Sequence, residues 1–223
     1  MIQPTIASRE VTRYILKTFN IHMSKKLGQN FLIDARIVQG IVEAAEIEPG
    51  DRVLEIGPGI GTLTQGLAEA GADVTAVELD KKLPAVLKET LKAYDNVRIV
   101  PGDILKVNIP EIMGEAPFKV AANLPYYITT PILMTLLERR LPITHMVTMV
   151  QKEVAERMTA KPGSRIYGAL SVAVQYYTEP EIVLDVPPRS FIPAPEVMSV
   201  VVSCRVRKEP AVAVQDEKLF FRV

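Results

Sequence analysis

The chain has 223 residues, 48% of them hydrophobic and 23% charged, with 26 lysines and arginines balancing 26 aspartates and glutamates. That composition excludes a disordered chain, and its apolar runs stay well short of the roughly 18 to 20 residues that span a bilayer. A single cysteine, Cys204, excludes an internal disulfide or a thiolate metal cluster and fits a reducing, cytoplasmic setting.

Zero net charge hides a local asymmetry. Residues 1–30 carry Arg9, Arg13, Lys17, Lys25 and Lys26 against Glu10 alone. A second basic stretch holds Arg139, Arg140, Lys152, Arg157, Lys161 and Arg165 against Glu138, Glu153 and Glu156. Such faces permit RNA binding, but solvated helix surfaces explain them equally well. No signal peptide is evident, and residues 8–19 have the pattern of a short basic amphipathic helix that caps a domain.

From residue 36 strand and helix signals alternate. Ile37–Ala45 has helical spacing and stops at Pro49-Gly50. Arg52–Ile56 is an apolar strand that enters a glycine loop, followed by a helix over Leu63–Ala70. Asp73–Glu78 is a strand and Leu83–Ala93 a helix. Val97–Val100 and Lys119–Ala122 are further strands, and Pro131–Arg140 is helical. His145–Val150 is a strand, with helices over Lys152–Thr159 and Ala169–Tyr177. Glu181–Val186 and Ser199–Val206 close the series as an antiparallel edge hairpin. The fold class expected is α/β, a doubly wound, mostly parallel sheet with its ligands at the carboxyl ends of the strands.

Three segments at those strand ends carry chemistry. Glu55-Ile56-Gly57-Pro58-Gly59-Ile60-Gly61 follows the first strand. A dinucleotide fingerprint is Gly-x-Gly-x-x-Gly, whereas Thr62 stands where its last glycine belongs, which favours the loop that wraps S-adenosylmethionine in Rossmann-like methyltransferases. Glu78 ends the next strand, where a carboxylate can accept two ribose hydroxyls. Asp103, after Gly102 and before Ile104, either accepts an adenine amino group or caps a helical turn.

Asn123-Leu124-Pro125-Tyr126 follows the fourth strand. The lone pair of an adenine N6 amine is delocalised into the ring, and the amine is too weak an acid for any side chain to deprotonate. The Asn123 side-chain oxygen and the Leu124 carbonyl can accept its two N–H bonds and draw the nitrogen towards tetrahedral geometry. Pro125 stiffens the turn, and Tyr126 offers a ring for an unstacked base. Positioning and electrostatics then account for most of the acceleration.

Taken in order, Lys25-Lys26-Leu27-Gly28-Gln29-Asn30-Phe31-Leu32, the 55–61 loop, Val77-Glu78-Leu79-Asp80, Gly102-Asp103-Ile104-Leu105, the 123–131 segment and Phe191-Ile192-Pro193-Ala194-Pro195 resemble the small-subunit ribosomal RNA adenine dimethyltransferases. The likeness runs from about residue 8 to residue 206. It implies a seven-stranded methyltransferase sheet, with S-adenosylmethionine as donor and S-adenosylhomocysteine as product. The implied substrate is a pair of adjacent adenosines near the 3′ end of small-subunit ribosomal RNA, within a pre-assembled subunit, and the implied product N6,N6-dimethyladenosine. The resemblance places Gln29, Asn30, Leu32, Gly57, Gly59, Glu78, Asp103, Ile104 and Asn123 around the cofactor. Tyr126 and Phe191 would sandwich the flipped adenine, although a phenylalanine such as Phe191 is more often core.

The expected organisation is a basic, cofactor-contacting segment at 1–35, a catalytic domain at 36–206, and at 207–223 the start of a shortened helical domain. In the last of these, Phe220-Phe221 would be exposed. Expected too are a monomer, no membrane partner and no metal, since His22 and His145 stand isolated. Rival readings are a large-subunit methyltransferase of the macrolide-resistance type, a ribosome-assembly factor that mainly binds, and a nicotinamide oxidoreductase.

Overall fold

A computed structural model of the chain describes residues 4–24 and 27–221, so Lys25 and Lys26 of the N-terminal segment lie outside the described residues. Ser8 caps α1 (Arg9–Thr18) by accepting the Val11 N–H, and Asp34 caps α2 (Ala35–Ala44) through the Arg36 N–H. Between them lies β1, only Phe31–Leu32. Then come β2 (Arg52–Ile56), α3 (Thr62–Glu69), β3 (Asp73–Glu78), α4 (Leu83–Thr90), β4 (Val97–Pro101) and α5 (Ile109–Met113). The series continues with β5 (Phe118–Asn123), α6 (Thr129–Glu138), β6 (Ile143–Gln151), α7 (Lys152–Met158), α8 (Ala169–Tyr177), β7 (Thr178–Val186), β8 (Phe191–Ile192), β9 (Ser199–Val206) and α9 (Glu217–Phe220).

Seven strands form one sheet in the order β4-β3-β2-β5-β6-β9-β7. The pairs among β4, β3, β2, β5 and β6 are parallel, and β9 runs antiparallel to both β6 and β7. The expected hairpin is therefore present, with β9 inserted and β7 left as the edge. Val53, Leu54, Val120, Ala121, Val147 and Val201 are fully buried because both faces of the sheet are covered. Cys204 is buried in β9 and burial pushes its thiol up to about 12, so it is unreactive filling.

The basic N-terminal helix shares its core with the domain. Ile6 and Ile15 pack with Phe31, Ile60, Leu83 and Leu87. Gln65 accepts the Ile6 N–H at 2.8 Å, holding the strand of chain before α1 against α3. At the other terminus Phe220 and Phe221 are half-buried rather than exposed as expected. They pack on Tyr176, with ring centroids 5.3 and 5.2 Å away, because α8 presents an aromatic pair at its last turn.

β1 and β8 pair antiparallel, with Phe31 opposite Ile192 and Leu32 opposite Phe191. Strands of two residues leave no periodic signal in a sequence, and neither was expected. Their pairing joins the N-terminal segment to the proline-rich loop across the molecule.

Candidate active site

Four parallel strands deliver their last residues to one edge of the sheet. β2 passes into Gly57, β3 ends on Glu78, β4 is followed by Gly102-Asp103, and β5 ends on Asn123. In the order β4-β3-β2-β5 the chain leaves β2 towards opposite sides, which opens a crevice above it. A cleft partly open to solvent fills that crevice. Gln29, Asn30 and Leu32 line it, with Gly57, Gly59, Glu78, Asp103, Ile104, Asn123, Leu124, Pro125 and Tyr126.

Gly57 and Gly59 adopt φ of +67° and +62°, a region that L side chains rarely enter. A methyl group on Gly57 would meet nothing within 4 Å, so its backbone faces the cleft bare. One on Gly59 would come within 3.3 Å of the Phe31 ring. Glu78 is buried, with Oε1 accepting the Asp80 N–H at 2.7 Å and Oε2 the Gly59 N–H at 3.1 Å. Burial raises its pKa, the two N–H groups opposing it in part. Each oxygen keeps lone pairs for vicinal hydroxyls.

Glu55 lies on the floor, 1% exposed, with Oε2 unpartnered. Burial pushes it up to about 8, the Glu78 carboxylate adding in the same direction. Thr62 also lines the cleft with its buried hydroxyl unpartnered. Unpaired buried acceptors and donors of this kind fit a polar ligand group. A bare glycine backbone, an acceptor for two hydroxyls and open polar atoms on the floor suit a nucleoside that carries an amino-acid tail.

Asp103 makes the cap that competed with its cofactor role, since Oδ1 accepts the Leu105 N–H at 3.1 Å. Its Oδ2 sits 3.7 Å from Lys106 Nζ. Asp103 still borders the cleft beside Ile104, so capping and ligand contact are compatible.

The Asn123 amide is oriented by its neighbour, Nδ2 donating to the Asn30 carbonyl at 3.3 Å. Its Oδ1 is thereby turned out as an acceptor. The Leu124 N–H bonds Met149 O at 3.1 Å, and the Leu124 carbonyl receives no hydrogen bond from the described residues. Pro125 O accepts Thr129 Oγ1 at 3.0 Å, which locks the turn. The Tyr126 hydroxyl is 2.6 Å from Ser199 Oγ, pinning the half-buried ring, and burial raises the phenol pKa against the opposing Ser199 bond. It stays a protonated platform rather than a base.

Phe191 stands apart from this group. It is 2% exposed in the cluster with Leu32, Ile37, Val38 and Ile41, and it does not line the cleft. Pairing with β1 sends Phe191 and Ile192 to opposite faces, and the larger ring takes the core side. The stacking surface expected of it is absent in this conformation. Glu55 and Tyr127 at the cleft, and Asp80 beside it, escaped the sequence reading. Glu55 was quoted in the loop but given no role, although a carboxyl within an apolar strand is itself a signal. Tyr127, 53% exposed, borders the cleft beside Tyr126. Asp80 bonds Gln29 and carries no local pattern of its own.

Of the basic residues, Arg139 donates to Leu105 O at 2.8 Å and Val107 O at 3.2 Å, and Arg140 pairs with Glu217. Both stay exposed but are engaged by intramolecular partners. Lys152, Arg157, Lys161 and Arg165 remain exposed. Among the described residues no group of His, Cys, Asp or Glu is arranged to hold a metal, and no helix is long and apolar enough to cross a membrane.

Comparison with known families decides where this geometry belongs. A model described as "Ribosomal RNA adenine dimethylase" matches residues 20–223. The chain belongs to that family. A protein named "Ribosomal RNA small subunit methyltransferase A" in Alkaliphilus metalliredigens is 50% identical over 220 residues, 97% of this chain and 77% of that protein. One of the same name in Streptococcus sanguinis is 50% identical over 223 residues, 98% of this chain and 77% of the other. Among solved structures, a dimethyladenosine transferase from Plasmodium falciparum superposes with a TM-score of 0.72 at 33% identity, over 80% of this chain and 64% of that one. The 23S rRNA methyltransferase ErmE gives 0.73 at 35% identity, over 83% of this chain and 73% of that one. The family fold is a methyltransferase sheet, and the chain is an rRNA adenine dimethyltransferase by membership.

Proposed function

We propose that this chain transfers methyl groups from S-adenosylmethionine to the N6 amines of two adjacent adenosines near the 3′ end of small-subunit ribosomal RNA. The product is N6,N6-dimethyladenosine, and the enzyme works as a cytoplasmic monomer on RNA held in a pre-assembled small subunit. The observation that carries the reading is the Asn123 amide, whose Nδ2 donates to Asn30 O, while its oxygen and the carbonyl of the next residue, Leu124, accept no hydrogen bond from the described residues.

Two acceptors on successive residues match in number the two hydrogens of an exocyclic amine. Bonded to both, the nitrogen loses conjugation with its ring and its lone pair becomes available. S-adenosylmethionine, when bound, supplies a sulfonium methyl group for that lone pair. Glu78 and the bare backbone at Gly57 hold a ribose and its attached chain, Asp103 and Ile104 border the adenine, and Gln29, Asn30 and Leu32 cover it. Tyr126 stacks on the target base. No side chain removes a proton before transfer, because the amine becomes acidic only once methylated.

The small subunit is favoured over the large because identity is about 50% to the bacterial proteins named for the small subunit and 35% to ErmE, although the solved dimethyladenosine transferase and ErmE superpose equally well, at 33% and 35% identity. The test is label transfer from S-adenosylmethionine to unmethylated small subunits, with large-subunit RNA alongside. Asn123→Ala is expected to slow transfer by about 10² to 10³-fold, the scale of losing one preorganised polar contact to the reacting group. Label only in large-subunit RNA would move the chain to the macrolide-resistance type. Subunit binding with no transfer by the unsubstituted chain would make it an assembly factor.

A further inference from the structure

Gln29 lines the cleft, yet its amide is engaged at both ends. Oε1 accepts the Ser24 N–H at 2.8 Å, and Nε2 donates to Asp80 Oδ2 at 2.9 Å. The next residue binds the opposite wall, where Asn30 O receives Asn123 Nδ2 at 3.3 Å. The 27–32 segment is thus a strap tied at successive residues to the turn after β3 on one side and to the end of β5 on the other.

Asp80 is fixed for this task. Its Oδ1 accepts the Lys82 N–H at 3.0 Å, its carbonyl accepts the Leu83 N–H at 3.0 Å, and its own N–H donates to Glu78 Oε1 at 2.7 Å. Glu78 Oε2 in turn holds the Gly59 N–H at 3.1 Å. One chain of hydrogen bonds therefore runs from the strap through Asp80 and Glu78 to the glycine loop. Gln29, Glu78 and Gly59 line the cleft itself, and Asp80 joins them from just behind its wall.

We propose that Asp80 is a positioning residue, latching the strap over the cofactor cleft through Gln29 and setting the Glu78 carboxylate with its backbone N–H. Gln29 then acts by closing the strap rather than by donating to the ligand. A strap already closed lowers the ordering cost of binding. The proposal rests on the reading of the cleft as an S-adenosylmethionine site.

The test is calorimetric titration of S-adenosylhomocysteine into the full chain, which reads binding without turnover. Gln29→Glu is isosteric and keeps the acceptor for Ser24, but sets a carboxylate against Asp80. It is expected to weaken binding about tenfold, equivalent to about 1.4 kcal/mol. Adding Asp80→Asn to that variant restores a donor to the pair and keeps the backbone N–H to Glu78, so affinity should return most of the way. Unfolding midpoints measured in parallel should agree across the three proteins, separating closure from folding. Unchanged affinity in Gln29→Glu, or a loss that Asp80→Asn does not repair, overturns the latch. No binding by the unsubstituted chain overturns the cofactor reading itself, and the latch with it.

Discussion

The two ends of the parallel strands treat their polar groups in opposite ways. At the amino end they are consumed. Lys119 bonds Asp51 at 2.8 Å and the Glu46 carbonyl, Arg205 pairs with Glu46, and His145 Nε2 is 2.7 Å from Ser203 Oγ. Burial opposes ionisation of Asp51, but the Lys119 ammonium and the Glu48 N–H together outweigh it and the carboxyl is held below its usual range. At the carboxyl end acceptors are left open, with Glu55 Oε2 and Thr62 Oγ1 unpartnered and Glu78 half-used. Backbone there passes through left-handed conformations that favour glycine at Gly57 and Gly59. One end closes the sheet, while the other spends stability to keep a surface ready for a ligand.

The largest effect expected on stability lies beneath the strap. Phe191→Ala should cost about 3–5 kcal/mol by denaturant unfolding, as for other buried aromatics. A cost under about 1 kcal/mol would mean that the ring spends its time outside the core, free to stack on a base after all.

Glu55 sharpens the contrast through pH. Unfolded, it titrates near its ordinary 4.5, whereas burial keeps its proton in the fold up to about 8. Between those values the unfolded chain gives up a proton that the folded chain retains. Stability therefore falls as pH rises, by up to about 1.4 kcal/mol per pH unit, and levels off above the folded pKa. Glu55→Gln cannot titrate, so its stability relative to the unsubstituted chain should climb across that window. A difference that stays flat from pH 5 to about 8 would show that the carboxyl is solvated.

The smallest effect belongs to the closed end. Arg205 and Glu46 are each 56% exposed, so Arg205→Ala should lose less than about 1 kcal/mol. Titration with S-adenosylhomocysteine should give unchanged affinity. Weakened binding would mean that the two ends are coupled through the sheet.

The site was legible to the extent that its parts are local. Gly57, Gly59 and Thr62 differ from a dinucleotide loop by spacing alone, and Asn123–Tyr126 stand together in successive residues that reach the cleft as a unit. Glu78 and Asp103 were placed by where their strands stop. Phe191 was misplaced because its pattern, an aromatic in a proline-rich loop, is the same whether the ring faces solvent or core. The pairing with Phe31–Leu32 decides that, and nothing near residue 191 encodes it.

The alternation of strands and helices was readable from the residues alone, as was the set of strand-end residues, Gly57, Gly59, Glu78, Asp103 and Asn123–Tyr126, that the fold gathers at one cleft. Periodicity and turn chemistry act over a few residues, so these survive without knowledge of the fold. Only the tertiary structure decided that β9 inserts between β6 and β7, that Arg139 and Arg140 serve the fold, and that Gln29 reaches Asp80. Each of those is a choice of partner between distant segments. Such choices follow from which surfaces must be buried together and which polar groups must then be satisfied.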